Sequence, residues 1–250
     1  MPTDHHHGAI TIDHLLGGRV KYTQPLGGLR ATIDPVLLAA AIPARPGERV
    51  LDGGTGAGAA LLCLAARVQG IHGVGVDRDP ALLRLARANA EANAWPDLRF
   101  TAADLAASPV SGLFDHAFAN PPYHAPGGTP SPSADREAAK RANPASLSTW
   151  VTALARPLRH RGTLTLILPP WALEACLTAM REAKTPAECV FPLWPRPHEP
   201  ARRLLIQGRK QGRAPLRLAS GLVLHQEDGT FRPEAEAILR HAAALTLGVF

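Results

Sequence analysis

Short apolar runs recur along the middle of the chain, and most end on a polar or acidic residue. Arg49 to Asp52 leads into a glycine loop. His72 to Val76 stops at Asp77, Leu98 to Thr101 precedes Asp104, and Phe114 to Ala119 stops at Asn120. Thr163 to Leu168 is a fifth such run, ended by Pro169 and Pro170. Runs this short are consistent with buried strands, and the stretches between them carry helical signals. Ala57 to Val68 places Leu61, Leu62, Leu64, Ala65 and Val68 at helical spacing. Asp79-Pro80 starts a second helix that runs to about Asn93, and a third spans roughly Ser146 to Leu158. Strands alternating with helices predict a parallel, doubly wound α/β sheet. Two further strands, Cys189 to Leu193 and Arg203 to Gln207, complete a Rossmann-like, mostly parallel seven-stranded sheet, and Pro233 to Ala244 reads as a closing helix.

Upstream, Gly17-Gly18 and Gly27-Gly28 precede Asp34-Pro35, where Asp34 is expected as N-cap and Pro35 as the first helical residue of a helix reaching Ile42. Pro43, Pro46 and Gly47 end it. The chain therefore reads as one domain over 1–250. Residues 1–45 form an N-terminal extension near the site, 46–210 the Rossmann-like core, and 211–250 a C-terminal strand and helix. The long loop from His124 to Asn143 follows the fourth core strand and is a candidate lid.

Two strand-end motifs carry the chemistry. Asp52-Gly53-Gly54-Thr55-Gly56-Ala57-Gly58 lies between a strand and a helix, where glycines let a ligand rest against bare backbone. Asp77 ends the next strand, where a carboxylate can accept from both hydroxyls of a ribose. Gly54-x-Gly56-x-x-Ala59 with Asp77 also fits a nicotinamide-dinucleotide fingerprint. Asp52 and Asp104 tilt the choice. A carboxylate at Asp52 would repel a pyrophosphate but suits a cationic amino-acid tail, and Asp104 can accept from an adenine amino group.

The second motif is Asn120-Pro121-Pro122-Tyr123. The prolines lack amide hydrogens and have fixed φ, so the Pro121 carbonyl is held in one direction. That carbonyl and the Asn120 side-chain oxygen can each accept one hydrogen of an amino group, favouring its pyramidal transition state. Tyr123 can stack on a planar substrate. The pair of motifs suits methyl transfer from S-adenosyl-L-methionine to a conjugated amine. Cys63 is expected in the core, Trp171 and Trp194 as packing residues, and His124 as a solvated loop residue.

Composition changes this picture little. Hydrophobic residues make up 46%, no apolar run is long enough to span a membrane, and no secretory signal is evident. Three separated cysteines and the lack of clustered ligands argue against a disulfide framework or a metal site and fit a reducing cytoplasm. The formal charge of +6 is compatible with a polyanionic partner. Arg196, Arg202, Arg203, Arg209, Lys210 and Arg213 form a candidate phosphate-binding set, which a solvated charged face explains equally well.

The Asp52–Gly58 loop, Asp77, Asp104 and Asn120–Tyr123 resemble the class I methyltransferases. A resemblance over nearly the whole chain is to the bacterial tRNA(Val) adenine-N6 methyltransferases. Leu15 to Arg19, Gln24 to Ile42, Asn120–Tyr123, Arg136-Glu137-Ala138 and Leu222 to Phe250 carry it. The resemblance implies methylation of the exocyclic N6 of an anticodon-loop adenine in tRNA. Ligand spacing and hydropathy separately lead us to expect no metal and no membrane, and a monomer or small homo-oligomer is expected. It implies that Asp52, Gly54, Gly56 and Gly58 contact the methionine portion of the cofactor, Asp77 its ribose and Asp104 its adenine. Asn120, Pro121, Pro122 and Tyr123 would hold the target amine, and Arg30 and Asp34 would close over the site. The chain departs at Gly53-Gly54-Thr55, where the family often has Leu-Gly-Cys or Ile-Gly-Ala. Protein glutamine N5-methylation and rRNA guanine-N2 methylation are the alternatives; a nicotinamide oxidoreductase and a non-catalytic RNA-binding module are further readings.

Overall fold

The computed structural model describes residues 10–27, 32–105, 107, 110–122 and 144–247, without the side chains of 144–146. A hairpin of β1 (Ile10–Leu15) and β2 (Val20–Pro25) comes first, then α1 (Asp34–Ala41). The core follows as β3 (Arg49–Gly53), α2 (Ala59–Arg67), β4 (His72–Asp77), α3 (Pro80–Ala92), β5 (Leu98–Ala102) and β6 (Phe114–Ala119). It continues with α4 (Pro144–Ala155), β7 (Leu158–Leu168), α5 (Leu173–Glu182), β8 (Ala187–Trp194) and β9 (Arg203–Arg209). Two short strands, β10 (Arg217–Leu218) and β11 (Leu222–Val223), and α6 (Pro233–His241) complete the chain.

The long strands lie in the order β5-β4-β3-β6-β7-β9-β8, with β10 and β11 along the outer side of β8. All are parallel except β9, which runs antiparallel between β7 and β8. A plain dinucleotide-binding sheet runs 3-2-1-4-5-6 without that insertion. Chain order reverses between β3 and β6, so a crevice opens at their carboxyl ends, the usual ligand position in such sheets. One apolar cluster packs α1, α2, α3 and α6 on one face, with Leu37, Leu61, Leu83 and Ile238 buried. The other packs α4 and α5 on the opposite face through Val151, Leu154, Cys176 and Met180.

The local signals explain most boundaries. Asp79 caps α3, accepting from the amides of Ala81 at 2.7 Å and Leu82 at 3.4 Å, and Pro80 opens the helix. Asp34 is a correction: the N-cap of α1 is Ile33, and Asp34 already lies in the first turn. The first helix of the core is shorter than expected because Gly58, at φ +93°, sits outside it as N-cap. β7 begins earlier than expected, at Leu158 rather than Thr163. Its polar Arg159, His160 and Arg161 read as a loop, but a register shift opposite Phe114 and His116 admits them to the strand. The hairpin and α5 were not foreseen. The three thiols, Cys63, Cys176 and Cys189, are buried and free.

One cation fastens two helix ends. Lys210 Nζ donates to the carbonyls of Ala155, at the end of α4 (2.9 Å), and Ala183, just past α5 (3.5 Å). Burial, then the charge of Lys184, holds its pKa below the ordinary lysine value. Lys210→Ala should lower stability by about 1–2 kcal/mol, read as a drop in Tm, because two terminal carbonyls lose a charged donor.

Candidate active site

The glycine loop lies at the carboxyl edge of β3. Asp52 is buried, and its Oδ2 accepts from the Thr55 hydroxyl at 2.7 Å. The Thr55 amide donates to the Val76 carbonyl at 3.0 Å, tying the loop to β4. Gly54, at φ +65°, is required twice over: its backbone is left-handed, and a Cβ there would lie 2.5 Å from the Trp150 ring. Gly56, at φ +57°, differs, since a Cβ there would project into open space. Trp150, on α4, is a site residue that the sequence did not point to. Gly53 is also explained. A Cβ there would come within 2.7 Å of Leu154 Cδ2, so Leu154 fills the space that a larger residue would take.

Parallel register sets the remaining residues in a row. Gly53 pairs with Val76 on one side and Ala119 on the other, so Gly54, Asp77 and Asn120 are level at the strand ends. Asp77 is half-buried; Oδ2 accepts from the Gly56 amide at 2.8 Å and Oδ1 from the Asp79 amide at 2.9 Å. Both oxygens are thereby aimed, with lone pairs left for further donors. Asp104 is exposed just past β5. Asn120 is exposed, Pro121 buried and Pro122 half-buried. Tyr123, Arg30, Arg136 and the loop from His124 to Asn143 lie outside the described residues. The structure thus brings Asp52, Gly54, Gly56, Gly58, Asp77 and Asn120 to one edge. Asp34, expected beside the cofactor, accepts from Arg203 Nε at 2.8 Å and joins α1 to the end of β9 at the carboxyl edge.

The hairpin is stapled to this loop. Asn89, buried on α3, accepts from the Thr23 amide (2.8 Å), donates to the Thr23 carbonyl (2.9 Å) and donates to the Ala57 carbonyl (3.0 Å). One turn on, Asn93 exchanges the same pair of bonds with Lys21, at 3.0 and 2.8 Å. Two amides at helical i, i+4 spacing thereby stand in for a neighbouring strand.

Trp171 is 46% exposed after β7, and Trp194 is half-buried with its Nε1 donating to the Ser220 carbonyl. The basic set also divides. Arg196, Arg202 and Arg203 lie in or beside the β8–β9 turn at the carboxyl edge, whereas Arg209, Lys210 and Arg213 lie at the opposite edge.

Comparison with known proteins bears on this geometry. The sequence model of the methyltransferase small domain family matches residues 31–143. A tRNA1(Val) (adenine(37)-N6)-methyltransferase of Dickeya chrysanthemi is 27% identical over 220 residues, covering 85% of this chain and 87% of the relative. A release factor glutamine methyltransferase of Rhodospirillum rubrum is 42% identical over 77 residues, covering 31% of this chain and 24% of the relative. Among solved structures, a predicted O-methyltransferase from Agrobacterium tumefaciens superposes with TM-score 0.70 at 24% identity, covering 86% of this chain and 100% of that one. The fold is that of the class I methyltransferases, and residues 31–143 match the methyltransferase small domain family.

The residues present at this edge fit S-adenosylmethionine, the cofactor that the sequence motifs imply. Gly56 leaves open space beside the loop, Asp77 aims two oxygens from the next strand, and Asp52 is a buried carboxylate with no ion pair among the described residues. Burial pushes the Asp52 carboxyl up to about 7, opposed by the Thr55 hydrogen bond and reinforced by Asp77. The folded, cofactor-free protein therefore retains a proton between about pH 4 and 7 that the unfolded chain has lost. The resulting stabilisation is full at low pH and disappears as pH rises through 7. Asp52→Asn should raise the cofactor-free Tm relative to wild type at pH 8 but not at pH 4, and weaken cofactor binding at pH 8 about tenfold or more. Titration calorimetry checks the second part. An unchanged affinity would mean that the carboxylate does not face the cofactor's ammonium.

Proposed function

We propose that the protein transfers the methyl group of S-adenosylmethionine to the exocyclic N6 of an adenine in tRNA, in the anticodon loop and in the cytoplasm. The observation that carries this reading is the level register of Asn120 with Gly54 and Asp77, in a chain similar along most of its length to a tRNA adenine-N6 methyltransferase. Asp52 and the glycine loop hold the methionine portion, Asp77 the ribose and Asp104 the adenine. Bound S-adenosylmethionine supplies an electrophilic methyl on a sulfonium.

The protein's own residues then position the acceptor. Asn120 Oδ1 and the Pro121 carbonyl each accept one hydrogen of the target amine, and Tyr123 stacks on the base. Held so, the nitrogen lone pair is drawn out of conjugation and faces the methyl carbon. The nitrogen would then be placed to take up the methyl group that the sulfonium would release, and its surplus proton would leave for solvent. No strong base is needed beforehand, because the nitrogen becomes acidic only after attack. An anticodon-loop adenine can be splayed from its stack into such a site.

The test is transfer of labelled methyl to total tRNA followed by nucleoside analysis. Label in N6-methyladenosine is expected. Label in protein but not RNA would favour glutamine methylation, the reading suggested by the local similarity to the release factor enzyme.

A further inference from the structure

The cations at the edge opposite the catalytic residues form a surface of their own. β9 runs from Arg203 at the catalytic edge to Arg209, which at about 3.3 Å per residue separates the two edges by roughly 20 Å. At the far edge, the start of β7 and the turns α5–β8 and β9–β10 are locked together. The Arg161 amide donates to the Lys210 carbonyl (3.0 Å), the Lys210 amide to Gly162 (2.8 Å), and the Gln211 amide to Lys184 (2.7 Å). Arg161, Lys184 and Gln211 all have left-handed backbones, at φ +62°, +56° and +56°. Non-glycine residues hold this costly conformation only where surrounding bonds enforce it, and such strain gathers at ligand-contacting sites.

Charge on this surface is one-sided. Asp115 is engaged by Arg159 at 2.6 Å and Glu188 by Arg209 at 3.2 Å. Arg156, Arg161, Lys184 and Arg213 are exposed and have no ion pair among the described residues. Glu182, at the end of α5, and Glu48, which holds His116 at 2.9 Å just ahead of β3, are the acids that oppose them at this edge. A rigid array of unpaired cations gains most from a polyanion whose charges recur at short intervals, since each contact releases a condensed counterion.

We propose that this edge, remote from the site of methyl transfer, docks the phosphodiester backbone of the RNA substrate outside the target loop. This rests on the tRNA reading above. The substrate is then gripped at two places, base at one edge and backbone at the other.

The experiment measures binding of a labelled full-length tRNA transcript against salt concentration, for wild type and the double variant Arg161→Gln/Arg213→Gln. Arg84→Gln/Arg99→Gln, which removes the same charge from the α3–β5 side, is the control. The far-edge variant should bind about tenfold more weakly and lose about two units of the log–log salt slope, with cofactor affinity unchanged. The control should stay within twofold. Equal behaviour of the two variants, in a wild type that methylates RNA, would overturn the proposal. So would capture of wild type by phosphatidylserine vesicles, lost in the far-edge variant, with tRNA affinity unmoved. A wild type that methylates no RNA would instead sink the functional reading itself.

Discussion

Asn120→Ala should lower kcat for methyl transfer at least a hundredfold while leaving cofactor affinity within about twofold. Losing one preorganised polar partner of a transition state typically costs a factor of a hundred to a thousand. Here the side chain would be one of two acceptors that draw the amine out of conjugation, and the Pro121 carbonyl alone cannot fix both hydrogens. The substitution is structurally mild, because Asn120 is exposed beyond the last residue of β6. The buried Pro121 still directs the chain. Cofactor contacts come from β3 and β4 in this reading, so affinity should not follow the loss of rate. Asn120→Asp sharpens the test, since it keeps an acceptor at the same reach and should recover part of the rate. Single-turnover kinetics with saturating cofactor measure the chemical step directly. A variant that turns over at the wild-type rate would remove Asn120 from the reaction.

Much of the site was legible because its determinants are local. A glycine loop between an apolar strand and a helix fixes its own geometry, and parallel register then carries Asp77 and Asn120 to the same edge. What was hidden depends on tertiary distance. Trp150 reaches Gly54 from a helix nearly a hundred residues downstream, and no periodicity announces such a contact. Asp34 carries a sound helix-start signal, yet its carboxylate bonds across the fold to Arg203. The hairpin was missed because its outer strand exposes Ile10 and Ile12, reversing the expected inward-facing pattern. The basic set looked continuous in sequence, but antiparallel β9 carries its halves to opposite edges.

Asn89→Ala should cost about 2–4 kcal/mol of stability and weaken cofactor binding several-fold. The buried amide satisfies the Thr23 amide, the Thr23 carbonyl and the Ala57 carbonyl together, and alanine leaves all of them without that partner. Each unpaired buried group costs roughly 1–3 kcal/mol, tempered where water enters. The cofactor effect has a separate origin. Ala57 belongs to the glycine loop, so loss of its tether frees the segment that must meet the methionine portion. Asn93→Ala distinguishes the two, because its side chain holds Lys21 of the hairpin and makes no bond to the loop. It should lower Tm modestly and leave cofactor affinity unchanged. Tm shifts in both variants with affinity unmoved in either would reduce Asn89 to a staple for the hairpin. A rise in cofactor Kd confined to Asn89→Ala would make the N-terminal hairpin, through one buried amide, a brace for the loop that binds the methyl donor.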